Sequence, residues 1–171
     1  MMNEEAYKQQ VFELLRDHFE IHKEVNGQHF SGKRLKIDAI LIPKIITNWK
    51  NKNVALGIEF KNELRLSGDT TNYTKWLAQC VDYANTSWDR FGYIYIFTCP
   101  GLIEGIHGTA TVGEVAWLLP RIMSHLGIGE LRFDQRYGLT FFLQQSHRIW
   151  SQLNGVESGK SWSMEREFGS R

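Results

Sequence analysis

Two segments whose residues alternate with a period of two constrain the fold of this chain more than any other feature. Successive side chains of a strand point to opposite sides of a sheet, so residues 35–42 and 54–61 are predicted as strands. One face of each segment is hydrophobic and carries Leu35, Ile37, Ala39 and Leu41 or Val54, Leu56, Ile58 and Phe60. Pro43 ends the first segment, and a connection of about ten residues favours an antiparallel hairpin with an extended loop.

Helical and strand patterns surround this hairpin. Apolar residues at helical spacing predict an amphipathic helix over 5–20, with Phe19 ending its stripe, and a second helix over 72–85. A capping box at Thr111–Glu114 opens a third predicted helix over 112–126. The remaining patterns predict a buried strand over 93–98, a hairpin of 131–133 with 139–143, and one or two helical turns over 147–153. This mixture predicts an α/β fold, a mixed central β-sheet flanked by helices.

The composition is that of an ordinary globular domain. Of the 171 residues 42% are hydrophobic and 23% charged, so disordered, collagen-like and coiled-coil classes are excluded. Residues 1–153 are predicted to form a single domain, followed by a flexible, polar C-terminal tail over 154–171. The chain has no apolar run of about 20 residues and no basic-then-apolar leader, so we expect no membrane partner and a cytoplasmic location.

Basic residues gather around the first predicted strand and the loop that follows it. The net formal charge of the chain is only +1, but residues 33–52 contain six basic residues and one acidic residue, Asp38. The six basic residues are Lys33, Arg34, Lys36, Lys44, Lys50 and Lys52. Such a stretch is typical either of a solvated strand edge protected against aggregation or of a surface that binds phosphates.

Carboxylates and a lysine come together on the predicted hairpin. Glu59 and Lys61 are two residues apart, so both side chains leave the strand opposite Ile58 and Phe60. Asp38 lies on the strand that pairs with theirs. Two carboxylates on neighbouring strands can share Mg²⁺, whose other ligands are water and phosphate oxygens. A lysine beside the metal can orient the attacking water and stabilise developing negative charge.

The order and spacing of these residues resemble a known family. Ile37-Asp38, followed after 20 residues by Glu59-Phe60-Lys61 at the end of an apolar strand, resembles the bipartite signature of the PD-(D/E)XK nuclease superfamily, with Ile in place of Pro. The resemblance implies a restriction-endonuclease-like core and an Mg²⁺ ion, which Mn²⁺ can replace. It also implies Asp38, Glu59 and the Phe60 carbonyl as metal ligands and Lys61 as the catalytic cation.

Two further motifs resemble the RecB-like and Holliday-junction-resolvase branches. Gln79 and Tyr83, four residues apart, resemble their Gln-x-x-x-Tyr element. The resemblance implies a catalytic role for Gln79 and a contact of Tyr83 with nucleic acid. Glu13 on the first helix resembles their additional helix-borne catalytic carboxylate, although Asp17 and Glu20 are alternatives.

These features predict a metal-dependent DNA nuclease that hydrolyses phosphodiester bonds. The six basic residues would contact the phosphate backbone, and the resemblance is compatible with a homodimer. Two alternatives stay open. The first is a catalytically silent nuclease-fold module that binds DNA or a protein partner. The second is an interaction protein with a tryptophan-rich surface, formed by Trp49, Trp88, Trp117, Trp150 and Trp162.

Overall fold

The computed structural model describes residues 4–61, 70–101, 121–143 and 147–157. Two helices and nine strands lie wholly in this part of the chain, and residues 121–125 are also helical. In chain order they are α1 (Glu4–Leu15), β1 (Phe19–His29), β2 (Arg34–Pro43), β3 (Leu56–Phe60), α2 (Thr70–Ala84), β4 (Thr86–Trp88), β5 (Tyr95–Cys99), β6 (Ile128–Asp134), β7 (Gly138–Leu143), β8 (His147–Ser151) and β9 (Gly155–Val156).

All nine strands belong to one sheet with the order β4-β1-β2-β3-β5-β6-β7-β8-β9. β1, β2 and β3 are antiparallel neighbours, and β3, β5 and β6 run parallel to one another. The predicted hairpin of 35–42 with 54–61 is therefore confirmed, as is the hairpin of β6 with β7. Because β3 and β5 are parallel, their carboxyl ends meet at the same edge of the sheet.

The sheet curls into a half-barrel. The ring of Phe19 on β1 lies 4.9 Å from that of Trp150 on β8 and 5.9 Å from that of Phe141 on β7, although β1 and β8 are far apart in the strand order. Side chains from strands near both ends of the strand order therefore fill the concave side of the sheet. The prediction of a central sheet flanked by helices with a restriction-endonuclease-like core is wrong, because strands dominate the structure and the sheet packs largely against itself.

Two hydrophobic clusters lie on opposite sides of the sheet around β2 and β3. The first contains Val11, Phe12 and Leu15 of α1 together with the concave face of the strands. The second surrounds Trp76 and Cys80 of α2. Tryptophans belong to these clusters rather than to a surface, because Trp49, Trp88 and Trp150 are buried, whereas Trp117 and Trp162 lie outside the described residues.

Several helix and strand boundaries in the structure differ from those predicted from the sequence. α1 ends at Leu15 and Phe19 begins β1, so the helix predicted over 5–20 is wrong in its last turn. Residues 147–151 form β8 instead of helical turns, whereas α2 confirms the second helix. Of the third predicted helix, residues 121–125 are helical and 112–120 lie outside the described residues, as do residues 158–171 of the predicted tail. No helix in the described part of the chain is long and apolar enough to cross a membrane.

Candidate active site

Asp38 and Glu59 occupy neighbouring positions on β2 and β3. The ladder pairs Ala39 with Ile58, and the next step in each strand brings Asp38 beside Glu59. Ile58 and Phe60 are buried in the first hydrophobic cluster, so Glu59 between them projects from the opposite face. The amide of Phe60 donates a 2.8 Å hydrogen bond to Asp38 Oδ2, which holds the two strands in this arrangement.

The alternation of β2 shifts at Asp38. Ile37 packs in the second hydrophobic cluster, whereas Ala39, only two residues away, packs in the first. The neighbouring strand β1 is also irregular opposite Asp38, where the backbone of Glu24 has a positive φ of 52°. A strand irregularity of this kind redirects a side chain, and irregularities are common beside active sites. The regular face predicted for residues 35–42 therefore ends at Asp38.

The second oxygen of Asp38 contacts a lysine of α1. Lys8 Nζ lies 2.8 Å from Asp38 Oδ1 and 3.3 Å from a carboxylate oxygen of Glu4, one helical turn earlier. Burial lowers the pKa of Lys8, but its hydrogen bonds and charge attraction to these two carboxylates outweigh burial, and the pKa is raised. Lys8 is therefore a charged ammonium that links α1 to the acidic pair.

Glu59 is buried, with 5% of its surface exposed. Its Oε1 accepts a 2.9 Å hydrogen bond from Gln79, whereas its Oε2 is buried without a hydrogen-bond partner among the described residues. Burial, followed by the charge of Asp38, raises the pKa of Glu59 to about 8, and the positive charges of Lys61 and Lys8 oppose this only in part. The positive charges near Glu59 are thus too weak to offset its burial and the charge of Asp38.

Gln79 on α2 connects Glu59 to Lys61. Its side-chain nitrogen donates to Glu59 and to the Tyr83 hydroxyl, at 2.9 and 2.7 Å, and its oxygen accepts a 3.2 Å hydrogen bond from Lys61 Nζ. This amide orientation suits both charges, since the NH₂ group faces the carboxylate and the carbonyl faces the ammonium. Gln79 therefore fixes the distance between the acid and the lysine.

Tyr83 holds the side chain of Gln79 in place through the hydrogen bond between them. The residue is buried, and its hydroxyl donates a 2.8 Å hydrogen bond to the main-chain carbonyl of Lys36. Burial, followed by the charge of Glu59, raises the pKa of Tyr83, so the phenol remains protonated and able to donate. The hydroxyl of Tyr83 thus links Gln79 to β2 and positions the Gln79 side chain, and the nucleic-acid contact of Tyr83 stays a prediction.

The acidic pair offers carboxylate oxygens, the type of ligand that a hard divalent cation prefers. Glu59 has a buried oxygen that lacks a hydrogen-bond partner among the described residues, whereas both oxygens of Asp38 accept hydrogen bonds, from Phe60 N and from Lys8 Nζ. The Phe60 carbonyl, on the residue between Glu59 and Lys61, is a further oxygen on the same strand. No group of three or more His, Cys, Asp or Glu side chains suited to a metal occurs among the described residues, so main-chain and solvent oxygens would have to complete the coordination.

The structure does not bring Glu13 to this cluster. Its carboxylate pairs with Arg16 at 2.6 Å, and 61% of its side chain is exposed. The acid of α1 that reaches the cluster is Glu4, through Lys8. Sequence reasoning missed both residues, although the spacing of four between Glu4 and Lys8 places them on one face of the helix, beside the apolar stripe.

The six basic residues divide between the two ends of β2, a strand of ten residues that spans about 30 Å. Lys33, Arg34 and Lys36 lie at its first end, near Asp38, where Arg34 contacts Asp89 and Lys36 contacts Glu24. The other three follow Pro43 at the opposite end, and they are Lys44, Lys50 and Lys52. Lys44 and Lys52 donate to main-chain carbonyls there, so the six residues do not form one continuous basic surface.

Comparisons of the chain with family models, curated proteins and solved structures found no match. The interpretation of this site therefore depends on its geometry.

Proposed function

We propose that this protein is a Mg²⁺-dependent DNA nuclease with a PD-(D/E)XK-type active site. The observation that carries the proposal is the hydrogen-bonded row of Glu59, Gln79 and Lys61 beside Asp38, in which a buried oxygen of Glu59 lacks a partner among the described residues. A pair of carboxylates with an adjacent ammonium is one set of groups that can support metal-dependent phosphodiester hydrolysis.

Each residue has a distinct role in this proposal. Asp38, Glu59 and the Phe60 carbonyl would hold Mg²⁺ or Mn²⁺, which would lower the pKa of bound water and offset phosphate charge. Lys61 places its ammonium where negative charge develops on the phosphate. Gln79 keeps Lys61 at a fixed distance from Glu59, and Tyr83 keeps Gln79 in its rotamer.

DNA approaches from the first end of β2. Lys33, Arg34 and Lys36 are exposed there, next to the acidic pair, and they contact the phosphate backbone. The second basic group, after Pro43, lies at the far end of the strand and contributes only long-range attraction. Salt weakens binding in proportion to the number of phosphates contacted, so three contacts give a log–log slope of about −3 on duplex DNA.

A substrate panel tests this function. Purified protein is incubated with supercoiled plasmid, linear duplex, single-stranded and four-way-junction DNA, in Mg²⁺, Mn²⁺ or EDTA. The wild type cuts at least one substrate only with metal, and Glu59→Gln and Lys61→Ala lose at least 100-fold of the rate. Glu13→Gln is the matched control, because Glu13 is exposed and pairs with Arg16, and it retains activity. Absence of cleavage on every substrate refutes the proposal.

The Lys8–Asp38 ion pair favours a second candidate function, DNA binding without catalysis. A lysine that already neutralises Asp38 lowers the need for a cation at the site. In that case DNA binding is the same in EDTA and in Mg²⁺, Glu59→Gln binds as the wild type does, and no strand is cut. Cleavage that depends on metal rules this candidate out.

A further inference from the structure

A hairpin arm, residues 25–37 of β1 and β2, extends beyond the acidic pair. β3 pairs with β2 only between Leu41 and Ala39, whereas β1 and β2 continue to pair down to Gln28 and Arg34. At a rise of about 3.3 Å per residue, the arm reaches about 15 Å past Asp38. On its β1 side it is accompanied only by the three-residue β4 in the described part of the sheet. The acidic pair therefore lies at the base of the arm, next to Ile37.

The tip of the arm presents an aromatic ring to solvent. Phe30 is 77% exposed, and its ring lies 4.2 Å from the imidazole of His29. The turn that carries it is well ordered by hydrogen bonds, from His29 N to the Lys33 carbonyl and from Gly32 N to the His29 carbonyl, and Gly32 supplies the φ of +88° that the turn requires. An exposed phenyl ring held in a fixed position is a surface on which another flat ring can stack.

The charges of the arm suit a polyanion. Lys33, Arg34 and Lys36 are all exposed, and the ion pairs of Arg34 with Asp89 and of Lys36 with Glu24 lie at the surface. Exposed pairs of this kind contribute little to stability, so both cations can turn towards phosphates at little cost. Aromatic rings combined with flanking cations are the usual means of holding single-stranded nucleic acid.

We propose that the arm binds unpaired nucleotides and that Phe30 stacks on a nucleobase about four nucleotides from the bond that is cut. This inference rests on the proposed nuclease function and specifies its substrate class, namely DNA with a single-stranded end, fork or junction. The spacing follows from the roughly 15 Å between Asp38 and the tip, at about 3.4 Å per stacked nucleotide. A blunt duplex offers Phe30 no exposed base face along its length.

Binding measurements on three DNA probes test the proposal. Fluorescence anisotropy in EDTA compares a single strand, a forked duplex and a blunt duplex for the wild type, Phe30→Ala and Phe30→Trp. Stacking on one base is worth about 1–3 kcal/mol, so Phe30→Ala weakens binding of the single strand and the fork by about tenfold, leaves the blunt duplex unchanged, and Phe30→Trp restores binding. Phe133→Ala is the matched control, since Phe133 is 67% exposed on β6, and it changes nothing.

The outcomes separate the two proposals. Equal losses on all three probes, no loss with Phe30→Ala, or no binding of any probe by the wild type overturns the proposed role of the arm. Binding that depends on Phe30 without metal-dependent cleavage overturns the nuclease function and leaves the arm as a nucleic-acid contact. Thermal unfolding of each variant shows that the fold is intact, which is expected because Phe30 is exposed.

Discussion

Glu59→Gln is expected to change how the stability of the metal-free protein depends on pH. The pKa of Glu59 is about 8 in the folded protein against 4.5 for an unperturbed glutamate. Since the folded state holds the proton more tightly, its stability is fully present below pH 4.5 and is lost as the pH rises through 8. Each pH unit in this range costs about 1.4 kcal/mol, so the full loss is about 5 kcal/mol. A protein with neutral glutamine at this position does not lose this stability as the pH rises.

Urea unfolding in EDTA, at intervals from pH 4.5 to pH 9, measures this difference. The stability curve of Glu59→Gln is expected to rise above that of the wild type by up to about 5 kcal/mol at pH 9, and the two curves converge near pH 4.5. All other groups are the same in both proteins, so their contributions to the pH dependence cancel in the difference. Glu13→Gln, with an exposed carboxylate, follows the wild type. If the stabilities of Glu59→Gln and the wild type change with pH in the same way, the pKa of Glu59 is not raised. The claim that Glu59 is buried with too little nearby positive charge is then refuted.

Three further predictions follow from individual contacts. Lys8→Met removes the cation that competes at Asp38 and is expected to tighten Mn²⁺ binding by about tenfold in an equilibrium titration; equal affinity contradicts this competition. Gln79→Leu frees Lys61 and lowers kcat on DNA by at least about tenfold with KM unchanged, whereas a change in KM alone points to binding. Gly129→Ala places a methyl group 2.5 Å from a main-chain oxygen of β7 and lowers the free energy of unfolding in urea by about 2 kcal/mol. An unchanged free energy of unfolding contradicts this close packing.

The elements that the sequence predicts well are those with strong local periodicity. α2 has a continuous apolar stripe. In the β2–β3 hairpin, apolar and polar residues alternate over most of both strands, and the first strand ends at Pro43. Residues close in sequence therefore suffice to predict both elements. β1 has no comparable pattern, because most of its residues are exposed or only partly buried. Phe19 continues the helical spacing of the apolar residues of α1, so the sequence pattern places it in the helix.

The curl of the sheet could not be predicted from the same patterns. It depends on contacts between Phe19 and the distant Phe141 and Trp150, which are more than 100 residues away in the sequence. Local periodicity identifies a strand but contains no information about which distant strand faces it. The prediction of helices flanking a central sheet failed for this reason.

The candidate site shows the same division. The placement of Asp38, Glu59 and Lys61 follows from strand alternation and hairpin register, so their proximity could be predicted. Lys8 and Glu4 reach the site because α1 packs across the sheet, which depends on tertiary contacts.

The central claim is that a cation held by Asp38 and Glu59 is required for DNA cleavage. The most direct test titrates Mn²⁺ into the wild type and Glu59→Gln, records bound Mn²⁺ by electron paramagnetic resonance, and measures DNA cleavage in the same samples. The proposal predicts that wild-type cleavage rises in proportion to bound Mn²⁺ and that Glu59→Gln loses both. Cleavage in EDTA, or undiminished cleavage by Glu59→Gln, would contradict it.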